Sequence, residues 1–138
     1  MTRVMAIDYG ERRIGLAMSD PMRIIASPAG HILRRVGKRP PIADIIRRAQ
    51  ESEVGEFVVG LPLDGDGNET PRCMEVRRIA EQLTARTGLP VRLLDERFTT
   101  AAALRAIHEM GGSTEQRKGD VDALAATVLL QHALAHSS

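Results

Sequence analysis

An α/β domain built on one mixed sheet, antiparallel in its first half and parallel in its second, is the fold class this sequence predicts. Three apolar runs separated by turn residues open the chain: Arg3 to Asp8, Ile14 to Ser19 and Ile24 to Leu33. Beyond them, segments of helical spacing alternate with two short, nearly continuous apolar runs, Phe57 to Leu61 and Val91 to Leu94. Hairpin-sized connections suit antiparallel neighbours, whereas strands joined through helices suit parallel ones. The expected sheet has five strands flanked by helices.

Each element has its own reason. Arg3 to Asp8 ends on a lone carboxylate, turns at Gly10 and resumes at Ile14, which reads as a hairpin with Asp8 at the strand end. Pro28 and Gly30 demote the third run to an irregular edge strand, because proline donates nothing to a ladder. Pro40 and Pro41 precede Ile42, Ile45, Ile46 and Ala49 at helical spacing, where a helix start tolerates proline. Phe57 to Leu61 has the continuous apolar character of a strand covered on both faces. The turn-rich Asp64 to Thr70 leads into a helix over 71–87 that Gly88 closes. Val91 to Leu94 runs into Asp95-Glu96-Arg97, and Thr99 or Thr100 caps a helix continuing to Met110. A polar loop from Gly111 to Gly119 precedes a last helix from Asp120 to Ala135.

A chain of 138 residues suits one core and one domain. With a net charge of +1, any nucleic-acid binding must come from local clustering of cations. Such clusters exist at Arg34, Arg35, Lys38 and Arg39 and at Arg117 and Lys118, although solvated loop charge is the plainer account. The single Cys73 excludes an internal disulfide and suits a reducing compartment, so the expected location is cytoplasmic, with no membrane span. Aromatic residues make up only 2% of the chain, namely Tyr9, Phe57 and Phe98. Backbone and shape recognition would then outweigh base stacking, with Tyr9, beside Asp8, the aromatic placed to touch a nucleotide.

Three acids stand out. Asp8 and Glu96 lie at the carboxyl ends of apolar runs, where α/β sheets gather their sites. Asp122 heads a stripe of Ala125, Ala126, Leu129 and Ala133 that should face the sheet, whereas Asp120 suits an N-cap. Three carboxylates brought together repel one another unless cations lie between them, and oxygen-only ligands suit Mg²⁺ or Mn²⁺. His31, His108, His132 and His136 are scattered and offer no zinc spacing.

Asp8-Tyr9-Gly10 with Arg13-Ile14-Gly15, then Gly60-Leu61-Pro62, then Asp95 to Thr100, then Lys118 through Asp122 to Ala126, resembles the YqgF/RuvX family over nearly the whole chain. The resemblance implies a ribonuclease H-like fold similar to that of the RuvC Holliday-junction resolvases, and a role in maturing the 5′ end of 16S ribosomal RNA. Carried over by motif, Asp8, Glu96 and Asp122 are the catalytic, metal-binding acids, with Asp120 the alternative to Asp122. The implied chemistry is two-metal hydrolysis of a phosphodiester, with Arg13, Arg97 or Lys118 as phosphate contacts. For Arg13 and Arg97, structural ion pairs with Glu11 or Asp95 are the competing reading. RNA, as a ribosome precursor, is the favoured partner over branched DNA, and both a monomer and a homodimer suit the chain. Two other classes share parts of this pattern. Sugar kinases and actin-like ATPases also open with Asp-x-Gly but need a second lobe, and a nucleic-acid-binding regulator could keep the fold without catalysis.

Overall fold

Strict alternation of side chains along the first strand organises the molecule. The computed structural model describes residues 1–35, 37–104 and 118–136, with backbone alone for 118–122. Strands β1 (Arg3–Tyr9), β2 (Arg13–Ser19) and β3 (Ala26–Leu33) are followed by α1 (Ile42–Glu51), β4 (Val54–Leu61), α2 (Pro71–Thr87) and β5 (Val91–Asp95). A 3₁₀ turn over Glu96–Phe98 comes next, and α3 spans Lys118–Ala135. The sheet order is β3-β2-β1-β4-β5, with β1 antiparallel to β2 and parallel to β4. The predicted mixed α/β sheet is thus the observed one.

Met5, Ile7 and Tyr9 point to one face, where Phe57, Val59, Ile45, Val76, Ile79 and Leu83 close a core against α1 and α2. Val4 and Ala6 point to the other, where Ala17 and Val58 meet Ala126, Leu130 and Ala133 of α3. Full burial of each large apolar side chain contributes about 1.5–3 kcal/mol, so the first face carries most of the cohesion. Arg92, near the start of β5, donates to the Ala133 carbonyl at 3.0 Å, while Leu129 lies over Gly60 near the end of β4. The last helix therefore runs against the parallel strands.

Several boundaries differ from expectation for identifiable reasons. β4 begins at Val54, because Arg3 and Val4 pair with Val54 and Glu56. β3 begins at Ala26. Ile24 and Ile25 belong to a preceding loop whose backbone N–H groups donate to the Asp20 carboxylate, both at 2.7 Å. α2 ends at Gly88 as predicted, with a φ of 71° and its N–H bonded to the Thr84 carbonyl at 2.8 Å. α3 is already helical at Lys118, which places Asp120 within the helix and not at its cap. The helix expected to reach Met110 is described over 101–104 only; its remainder and the loop over 111–117 lie outside the described residues, and Lys118 and Gly119, expected in that loop, are helical. No helix among the described residues is long and apolar enough to cross a membrane.

Candidate active site

Two carboxylates are buried at the carboxyl ends of parallel strands. Asp8 is 3% exposed and Glu96 2%. Asp8 follows Ala6 onto the α3 face, opposite Gly15 in β2 and one residue past the Ile7–Val59 pair, so its neighbour on the β4 side is Gly60. Glu96 approaches the same glycine from β5. A Cβ at Gly60 would lie 2.5 Å from Glu96 Oε1 and 2.9 Å from Leu129 Cδ1. Only a bare backbone leaves room there for the Glu96 carboxylate, which gives Gly60-Leu61-Pro62 a physical meaning.

The backbone that carries Glu96 is fixed by its neighbours. Asp95 accepts from the Arg97 N–H at 2.9 Å, and the Arg97 guanidinium closes on the same carboxylate at 2.7 Å. That hydrogen-bonded cation holds the Asp95 carboxyl below the usual range. The Thr99 N–H and hydroxyl both donate to the Glu96 carbonyl, at 3.0 and 3.1 Å, and the Thr99 oxygen accepts from the Ala101 N–H at 3.1 Å. Thr99 therefore fills the predicted capping role, and the Asp95 to Thr100 motif becomes a clamp on one turn. Arg97 pairs with Asp95 and lies against Gly67, as the ion-pair reading of Arg97 has it.

Tyr9 requires a correction. As the residue after Asp8 it points to the opposite face, is 2% exposed and belongs to the large core, so it does not meet a nucleotide. Arg34 lies over its ring, 4.1 Å from the centroid. Burial, with the nearby Glu75 carboxylate, pushes the phenol well above its ordinary pKa, and its hydroxyl has no geometrically sound partner among the described residues. Arg34 also donates to the Gly10 carbonyl at 2.8 Å, and Arg72 donates to the Tyr9 carbonyl. Two guanidiniums thus grip the peptide links that follow Asp8.

Of the other predicted residues, Arg13 and Arg35 line one basic concavity and Lys38 another beside it, both at the hairpin tip, while Arg39 is exposed on the same loop. The side chains of Lys118, Asp120 and Asp122 lie outside the described residues. Among those described, no group of three or more His, Cys, Asp or Glu gathers as a metal site. Gly60, quoted in its motif without a role, joins the site, as do Arg72 and Glu75, which no sequence pattern singled out. Gly60 carried a signal in its motif, whereas Arg72 and Glu75 are more than 60 positions from the turn they support.

A five-stranded sheet in this order, with two acids buried at the ends of β1 and β5, is a ribonuclease H-like fold. Similarity to known proteins makes the assignment particular. Residues 2–136 match the family model described as RuvX, Holliday junction resolvase. The chain is 40% identical over 129 residues to a protein of Roseiflexus sp. (strain RS-1) named "Putative pre-16S rRNA nuclease", covering 94% of this chain and 91% of that one. It is 36% identical over 135 residues to the protein of the same name from Maridesulfovibrio salexigens, covering 98% and 99%. The chain belongs to the RuvX family. Thermus thermophilus RuvC shares the fold, with a TM-score of 0.56 at 14% identity over 96% of this chain and 94% of that one. RuvC of the same organism in complex with a Holliday junction substrate gives a TM-score of 0.54, again at 14% identity, over 97% and 94%.

Proposed function

We propose that the chain is a divalent-metal-dependent nuclease that matures the 5′ end of precursor 16S ribosomal RNA, with Asp8, Glu96 and Asp122 as its catalytic acids. The observation that carries the reading is the seating of Glu96 against Gly60, beside Asp8. Position 122 supports it. In helical spacing it precedes Ala125, Ala126 and Leu129, all buried, and α3 runs against the parallel strands with its earlier turns toward their carboxyl ends. Asp120 is the alternative third ligand.

The donor set fits a hard cation. Asp8, Glu96 and Asp122 offer carboxylate oxygens alone, as Mg²⁺ or Mn²⁺ prefers, and like charges brought together there would favour a site that includes cations. When bound, such ions lower the pKa of the attacking water and neutralise charge on the phosphoryl group. The chain's own contribution is orientation. Glu96, fixed by Thr99 and walled by Gly60 and Leu129, holds its carboxylate where it accepts a hydrogen bond from water and directs the water lone pair at phosphorus. Water oxygen bonds to phosphorus, one ester P–O bond breaks, and the proton lost from water balances the one gained by the leaving oxygen.

The substrate rests on the relatives, 36–41% identical and named for pre-16S rRNA. The proposed setting is the cytoplasm, as a monomer or homodimer. The test is cleavage of precursor 16S RNA, matched duplex DNA and four-way DNA junctions with Mg²⁺ or Mn²⁺, by wild type and by Asp8→Asn and Glu96→Gln. The expected result is RNA cleavage that needs metal and is lost in both variants while they melt as cooperatively as wild type. Symmetric nicking of junctions with the RNA untouched would move the assignment to junction resolution, and full activity after chelation would sink the metal mechanism.

A further inference from the structure

At the tip of the β1–β2 hairpin, in the turn that follows Asp8 and Tyr9, the surface opens into a basic trough. A cavity of about 350 Å³ has Arg12, Arg34, Arg35, Lys38 and Arg72 in its lining, with the carboxylates of Glu11 and Glu75 among them. A second, of about 690 Å³, adjoins it through Arg12, Arg34 and Arg35. The cations divide into two kinds. Arg34 and Arg72 are spent on the fold, holding Glu75, the Tyr9 ring and the carbonyls of Tyr9 and Gly10. Arg12, Arg35 and Lys38 are exposed, and their side chains pair with no described residue. Cations outnumber the carboxylates in this lining, and the repulsion among them is relieved by a polyanion.

We propose that Arg12, Arg35 and Lys38 form a backbone subsite that binds phosphates of the nucleic-acid strand flanking the cleaved bond. The acids lie on the α3 face and the trough on the side of α2, so the strand crosses the hairpin tip between them. Tyr9, buried and covered by Arg34, offers its ring to no base, and with His31 the one ring in a lining rich in cations the trough is built to read charge more than sequence. The proposal takes the identity of the strand from the nuclease reading, but its binding is separable from cleavage.

The test is therefore made in the Asp8→Asn background with metal chelated, titrating a labelled single-stranded RNA and the matching DNA strand at several salt concentrations. Replacing Arg12, Arg35 and Lys38 by alanine is expected to reduce the slope of log affinity against log salt by about 2, at about 0.7 per lost phosphate contact, on RNA or on both strands. A control removing the same charge from helix surfaces, Arg47, Arg78 and Arg86 to alanine, is expected to move it far less. An unchanged slope, or an equal change in the control, overturns the subsite. Should alanine lower the melting temperature, glutamine at the same three positions removes the same charge and decides the matter in its place. A variant that loses the slope while wild type fails to cleave any RNA would keep the subsite and discard the nuclease reading; full cleavage with no slope change would do the reverse.

Discussion

The two faces of the sheet solve opposite problems with one set of strands. Toward α1 and α2, Met5, Ile7, Tyr9 and Phe57 present bulk, and the interior closes around apolar side chains. Toward α3 the same strands present Val4, Ala6, Ala17 and Val58, and the helix answers with Ala126, Leu130 and Ala133. Small side chains let a helix come near a sheet, and at the carboxyl end of this thin layer Asp8 and Glu96 are buried. Bulk on the strands supplies cohesion on one side, and smaller strand side chains leave room for two buried acids on the other.

Gly60 is where that contrast breaks most sharply. In Gly60→Ala the new methyl meets the movable end of Glu96 and the tip of Leu129, so the side chains yield before the backbone does. Cleavage should fall about 10- to 100-fold, the scale seen when a group that orients a metal ligand is disturbed. Stability should fall by about 1–3 kcal/mol, as for modest overpacking. Parallel cleavage assays and melts check this, and wild-type cleavage by a well-folded variant would remove Glu96 from the site.

Arg34 tests the opposite face. Arg34→Lys keeps the charge but loses the planar contact over Tyr9 and the fork that reaches Gly10 and Glu75. The expected cost is about 1–2 kcal/mol, read by urea denaturation, with a smaller effect on cleavage than Gly60→Ala. The smallest effect lies at the far end of α3. His132 stacks on His136, 4.1 Å between centroids, and burial followed by the neighbouring His136 and Arg92 holds its pKa below the ordinary value. A lowered folded pKa means that the unfolded chain binds the proton first, so stability is highest above about pH 6.5 and declines as pH falls through the lower folded value. His132→Gln should flatten that part of the melting-temperature profile and leave cleavage unchanged.

Much of this is legible in the chain because local signals and tertiary demands agree. Gly88 ends α2 and Pro41 precedes α1 where left-handed and proline-compatible backbone is needed. Asp8 and Glu96 are legible because an ionisable group closing an apolar run has few structural excuses. Tyr9 misleads through its proximity in sequence, since adjacency within a strand means opposite faces. The grip of Arg72 on the Tyr9 carbonyl spans 63 positions, and no local pattern marks it.

The alternation of Asp8 and Tyr9 also constrains how this segment can change over evolutionary time. Substitution leaves parity intact, but inserting or deleting a single residue between Met5 and Asp8 would turn the carboxylate into the bulky core and the phenol toward α3, inverting everything that follows up to the turn. Drift in length at this strand is therefore expected in steps of two or not at all. A one-codon deletion here should be more damaging than any single replacement in the same strand.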